Sequence, residues 1–270
     1  MRAAVGHQRS QLRECFFLGQ VHVIFGNRCH DGSPLLFERS TKREVPGTGY
    51  FKRCVQTSVA VVGGTGAEGS GLAARFVKAG VRVRIGSRNL EKAQAAAQRI
   101  GELATGHTNA EAAKEAGIVI LTVPLSAQVE TLKSIRASLA TGAILVDATV
   151  PLEVAIGGRV SRLLTLWDGS AAQQAARLLP GVAVVAAFHA LSADALAKLD
   201  DPLDCDALIC GDNAEAKATV AQLAGLIPGV RAIDAGPLDN ARLIESAAAL
   251  LISLNLRHKV KESGMRITGL

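Results

Sequence analysis

Residues 59–69, Val-Ala-Val-Val-Gly-Gly-Thr-Gly-Ala-Glu-Gly, decide the fold. Val59–Val62 is a short apolar run of the kind that forms a strand buried on both faces. Gly64-Thr-Gly-Ala-Glu-Gly69 then spells G-x-G-x-x-G, and Ala67–Ala79 has helical spacing up to Gly80. Such a glycine pattern is weak alone. Placed between a strand and a helix, it reads as the phosphate-binding turn of a dinucleotide fold. In that reading Gly64 permits the tight turn, Gly66 lets the backbone approach a pyrophosphate, and Gly69 lets helix pack on strand. The free N–H groups at the helix start face the phosphates.

Outward from this unit, strands and helices alternate. Strands are expected at Val81–Ile85, Ile118–Val123, Ala143–Asp147, Val182–Ala187, Asp206–Cys210 and Arg231–Ile233. Helices are expected at Asn89–Ile100, Ala127–Leu139, Ser170–Leu179, Ala214–Leu226 and, as one long segment, Leu238–Lys259. Asn89 is a natural N-cap, and Thr108 with Glu111 and Asp212 with Glu215 have capping-box spacing. The alternation predicts an α/β protein with a Rossmann-type, doubly wound parallel sheet. It divides into a nucleotide-binding domain at 57–181 and a smaller C-terminal α/β domain at 182–270.

The first 56 residues differ from the rest. They hold six of the nine aromatics and three of the five cysteines, with no sustained period. They carry a net charge of +5, leaving only +1 for the remainder of a chain whose total is +6. The nearly neutral body offers no electrostatic footprint for nucleic acid. The leader is expected to be disordered, or to be upstream sequence read from a start set too early, with Val55 the alternative start; a genuine appendage is the competing reading. No apolar run reaches the ~18 residues that a membrane-spanning helix needs, and Arg9, Arg13 and Glu14 interrupt any signal-peptide core. A soluble, cytoplasmic protein is the expectation. Five cysteines without a C-x-x-C spacing argue against a disulfide framework or a zinc site, and no metal-ligand pattern is present.

The second strand identifies the dinucleotide. A site for NAD wants an acid at its end, to bind the ribose 2′-hydroxyl. Here the strand ends Ile85-Gly-Ser-Arg88 with no acid. Arg88 can grip a 2′-phosphate through a charged fork, Ser87 can add a hydrogen bond, and Lys92 lies one helical turn on. NADP(H) is therefore the expected cofactor. Val123-Pro124 and Val150-Pro151 follow strands whose carboxyl ends should border the nicotinamide, and His189 follows the run Val182–Phe188 toward the same cleft. For His189 a structural role and a site role both remain open. No triad of nucleophile, base and acid is legible; hydride transfer needs none, because the cofactor carries the chemistry.

Gly63-Gly-Thr-Gly66, Ile85-Gly-Ser-Arg-Asn89, Cys210-Gly-Asp212, Asp234-Ala-Gly-Pro-Leu-Asp-Asn-Ala-Arg-Leu-Ile-Glu245 and the ending Gly264-Met-Arg-Ile-Thr-Gly-Leu270 together resemble the NADPH-dependent coenzyme F420 reductases. The similarity runs from about Ser58 to the last residue. It implies hydride exchange between NADP(H) and the deazaflavin F420 as co-substrate. It also implies NADP contacts from Gly64, Thr65, Gly66, Ala67, Glu68 and Gly69, from Ser87, Arg88 and Lys92, and from Val123, Val150 and Ala193. For the deazaflavin it implies His189, Leu191 and Ser246, and it suggests a homodimer joined through the C-terminal helix. One departure stands out. Ala248 and Ala249 occupy positions where the family carries threonine and proline. This keeps open a reductase on the same scaffold with another acceptor (a flavin, a ferric chelate or an imine), or an NADPH sensor.

Overall fold

The computed structural model describes residues 58–270. The leader readings and Cys15, Cys29 and Cys54 lie outside the described residues.

Among the described residues, eight strands form one sheet in the order β3-β2-β1-β4-β5-β6-β7-β8. They are β1 (Val59–Val62), β2 (Val83–Ser87), β3 (Ala104–Thr108), β4 (Ile118–Leu121), β5 (Ile144–Asp147), β6 (Ala183–Ala186), β7 (Cys205–Gly211) and β8 (Val230–Asp234). All neighbouring pairs are parallel except β6 with β7. The segment from 182 onward thus extends the same sheet, through β6, β7 and β8. The described residues also form eight helices, which cover the sheet: α1 (Ala67–Lys78), α2 (Leu90–Ile100), α3 (Asn109–Lys114), α4 (Leu125–Ile135), α5 (Ala171–Leu178), α6 (Ala193–Ala197), α7 (Ala214–Ala224) and α8 (Ala241–His258).

Alternation along the strands makes the two cores. Val59 and Val61 pack on one face with Leu72 and Phe76 of α1 and Ala93 and Ala96 of α2. Ala60 and Val62 point the other way, to Ala112 of α3, Leu132 and Ile135 of α4 and Ala172 of α5. A strand apolar at every position is what a sheet covered on both faces requires. Phe76 is fully buried, which contributes about 1.5–3 kcal/mol.

Several details differ from expectation. The positive-φ turn after β1 falls on Gly63 (φ +80°), whereas Gly64 is needed for space: a Cβ there would lie 2.7 Å from the Val61 carbonyl. α7 is capped by Asn213, whose side chain accepts from the Ala216 N–H, and Asp212 instead accepts from the Leu238 N–H. α4 begins at Leu125 and ends at Ile135 with a 3-10 turn after it. The long C-terminal segment opens with a 3-10 turn at Leu238–Asn240 before α8. β3 has no apolar period to betray it; it is an edge strand, Ala-Thr-Gly-His-Thr, and Gly106 has no room for a side chain because a Cβ would meet the Gln94 nitrogen at 2.3 Å. The Asn89 cap and the Thr108–Glu111 capping box form as read.

Candidate functional site

The sheet order reverses between β1 and β4, and ligands of such sheets bind at the carboxyl ends of the strands beside that switch. The Gly63 and Gly64 N–H groups both donate to the Gly86 carbonyl, tying the turn to β2. Gly66 is the N-cap of α1 and provides no side-chain cap, so the first-turn N–H groups remain available to an anion. Thr65, Gly66 and Ala67 are exposed. A Cβ on Gly66 would touch nothing of the protein closer than 3.5 Å, so the glycine leaves open space above the turn. A Cβ on Gly69 would lie 2.5 Å from Thr122 Oγ1 and 2.8 Å from the Gly64 Cα. There the glycine serves helix–strand packing.

At the end of β2, Ser87 is buried and its Oγ accepts from the Asn89 N–H at 3.2 Å. The Arg88 and Lys92 side chains are exposed and form no ion pair among the described residues. Gly63, Thr65, Gly66, Ser87, Arg88 and Lys92 line one recess with Thr122 and Val123. A larger cleft of about 510 Å³ continues from it, sharing Gly66, Thr122, Val123 and Pro124. Its walls include Ala67, Glu68, Val150, His189, Leu191 and Ala193, and its floor is Ala248, Leu251 and Ile252 of α8. The structure therefore brings all but one of the anticipated residues that can face a ligand to one groove. Ser246 stands apart: it is exposed on α8, its hydroxyl donates to the Arg242 carbonyl at 2.6 Å, and it is not part of the cleft wall. Ala248, where the family's hydroxyl is missing, does face the cleft.

His189 is set by an unusual backbone. The preceding Phe188 has φ +74°, a left-handed conformation costing about 1–3 kcal/mol in a bulky residue, and is locked by full burial and an edge-on contact with Phe76 at 6.2 Å. Both ring nitrogens of His189 are shielded from water and neither has a well-aligned hydrogen bond. Burial lowers its pKa to about 4, only partly offset by the Thr149 backbone. The imidazole is thus neutral at physiological pH and adds no positive charge to the cleft wall.

Beneath the cleft lies a polar network that the sequence did not announce. Asp147, at the end of β5, is fully buried; it accepts from Gln128 Nε2 at 2.6 Å and from the Thr149 N–H at 2.7 Å. Gln174 donates to Gln128 at 2.7 Å. Glu245 of α8 accepts from the Ala171 and Ala172 N–H groups at the start of α5. Burial raises the pKa of Asp147 to about 6 and that of Glu245 to about 8, the two N–H groups pulling Glu245 back. Burial, then the nearby Asp147, raises Glu68 to about 8. A Glu68 that keeps its proton adds no negative charge to the start of α1. Arg75 was also missed: buried on α1, it donates to the carbonyls of Ala195, Leu196, Lys198 and Asp201 and so pins α6 and the chain after it, next to the cleft wall. A lone Glu on the apolar stripe of α8, and an Asp closing the apolar run of β5, were the signals available.

Fold and groove define a doubly wound dinucleotide-binding protein of the Rossmann type. Residues 58–151 match the family described as NADP oxidoreductase coenzyme F420-dependent. The chain is 50% identical over 221 residues to an F420-dependent NADP reductase of Methanothermobacter marburgensis, covering 78% of this chain and 98% of that protein. It is 43% identical over 221 residues to an F420-dependent NADP reductase of Methanocaldococcus jannaschii, covering 78% and 98%. A crystal structure of a putative F420-dependent NADP reductase from Arthrobacter superposes with a TM-score of 0.69 at 25% identity, covering 78% of this chain and 99% of that one. The chain belongs to the F420-dependent NADP reductase family.

Proposed function

We propose that the protein exchanges hydride between NADP(H) and the deazaflavin coenzyme F420. The observation that carries this is the continuous groove. It joins an anion-binding turn and an unpaired Arg88 and Lys92 to an apolar cleft floored by α8. The hydride chemistry belongs to the two coenzymes. The chain binds and aligns them. The α1 N-terminus takes the pyrophosphate, Arg88, Lys92 and Ser87 the 2′-phosphate, and Val123, Val150 and Ala193 the nicotinamide side. His189, Leu191 and Ala248 face the deazaflavin. Two planar rings held between apolar walls approach each other while water is excluded. Asp147 fixes the Thr149 backbone, and with it the wall that Val150 presents. Ser246 has no place in a single protomer's cleft.

A homodimer in the cytoplasm completes the reading. Leu243, Leu250 and Leu254 are exposed along one side of α8, at 53, 57 and 37%, the kind of apolar stripe that a second copy covers. Cys205 and Cys210 are free and buried, as suits a reducing compartment. The test of direct transfer is isotopic. NADPH deuterated at its transferable position should pass the label to the deazaflavin ring; label appearing only in solvent would overturn the reading.

A further inference from the structure

Part of the cleft wall comes from a strap that follows α8, through Lys261 and Ser263. α8 ends at His258, and its C-cap Lys259 is left-handed (φ +54°), which turns the chain out of the helix. The strap is pinned at several points. Ser192 Oγ donates to the Lys261 carbonyl at 2.6 Å, and the Ser263 N–H donates to Asn255 Oδ1 at 3.1 Å. Farther on, the Asp206 N–H donates to the Met265 carbonyl at 2.7 Å, and the fully buried Asp206 carboxylate binds Arg266 at 2.8 Å and the Ile267 N–H at 2.7 Å. Arg231 and these partners hold Asp206 well below the usual carboxylate range, so the clamp stays charged.

What the strap presents is positive charge. Lys261 lines the cleft, and Arg257 and Lys259 lie within four residues of it. None of the three has an ion pair among the described residues, whereas Glu262 is already engaged by Lys198. The acids that line the cleft are Glu68 and Asp194. The Ser192 bond holds the Lys261 backbone, so an arriving anion has only the side chain to order.

We propose that Lys261 recognises an anionic chain attached to the ring that occupies the cleft. This rests on the F420 reading. F420 carries such a chain, a phosphodiester followed by glutamate carboxylates, beyond its ring and ribityl group. The ring lies against α8 and the chain leaves the protein past the strap.

The test uses the whole protein and two probes: F420, and 8-hydroxy-5-deazariboflavin, which has the same ring and ribityl group without the charged chain. Binding is followed by the probes' own fluorescence. F420 should bind about tenfold more tightly at low salt, with the gap shrinking as salt rises. Lys261→Glu should remove the gap and leave the dissociation constants for the chainless probe and for NADPH unchanged. Lys261→Arg should keep it. The same gap in wild type and Lys261→Glu would overturn the proposal. If NADPH weakens with Lys261→Glu instead, the anion served is a phosphate of the dinucleotide, and the proposal also falls. The underlying reading is checked separately, by whether NADPH reduces the chainless probe. If both probes bind with the expected gap and neither is reduced, the hydride assignment falls while the anion site stands.

Discussion

Two glycines three positions apart, Gly66 and Gly69, should respond oppositely to alanine. At Gly66 the backbone is extended (φ −74°, ψ 166°), a conformation alanine adopts freely. The added Cβ meets nothing of the protein within 3.5 Å. Gly66→Ala should therefore fold normally, and should gain about 0.4–1 kcal/mol because the unfolded chain loses freedom. For a chain of this size that is a rise in Tm of about 1–4 °C. The same methyl occupies the space through which a pyrophosphate reaches the α1 N–H groups. Losing one charge-assisted hydrogen bond costs about 1.5–3 kcal/mol, a weakening of NADPH of roughly ten- to hundredfold. At Gly69 the Cβ would lie 2.5 Å from Thr122 Oγ1 and 2.8 Å from the Gly64 Cα, and the second neighbour is backbone that cannot turn aside. Gly69→Ala should force α1 off the sheet and cost about 1–3 kcal/mol. Thermal melts and NADPH titrations of both variants form the assay. A Gly66→Ala protein that melts at or above wild type and binds NADPH as well as wild type would refute the assignment of this turn.

Arg88→Glu should weaken NADPH by about ten- to hundredfold while affecting NADH far less, because only the former has a 2′-phosphate to lose; parallel titrations check it, and equal effects would remove the specificity argument. Ala248→Thr should restore a hydroxyl to the cleft floor and tighten F420 by about two- to tenfold, one hydrogen bond's worth, as read by deazaflavin fluorescence. His189 has its folded pKa depressed from 6.5 to about 4, so the stability tied to it is complete above pH 6.5 and is lost as pH falls toward 4. Asp147, raised from 3.8 to about 6, works in the opposite sense over the overlapping range, so the difference between wild type and His189→Leu in melts from pH 7 to 4 isolates the histidine; wild type should lose stability relative to the variant as pH falls. Glu245→Ala should cost about 2–4 kcal/mol, because it empties a buried position and leaves the Ala171 and Ala172 N–H groups unpaired, and a urea titration measures it.

What could be read before the structure was local. The run Val59–Val62, the glycines after it and the spacing of Leu72, Ala73 and Phe76 all state their role within a few residues. So do the Asn89 cap and the Thr108–Glu111 box. β3 escaped because an edge strand of polar residues has no period, and the clue at Gly106 is meaningful only once α2 lies on it. The Asp147–Gln128–Gln174 chain and the Glu245 cap join residues brought together from four separate elements. No window along the sequence contains such pairs. Arg75 reads as a surface cation from its type, yet its four carbonyl partners lie 120 or more residues ahead. Phe188 illustrates a further barrier. Nothing in its neighbours foretells a positive φ, and the conformation persists because the burial around it outweighs the strain. The strap has no local signal of its own, since its place at the cleft wall depends on Ser192, Asn255 and Asp206.

The central claim is tested most directly by mixing the purified protein with NADPH and oxidised F420 and following the deazaflavin's visible absorbance. The account predicts its loss, well above the uncatalysed rate, with one NADPH oxidised for each F420 reduced. Absorbance that declines no faster than in the protein-free mixture, with NADPH bound, would contradict it.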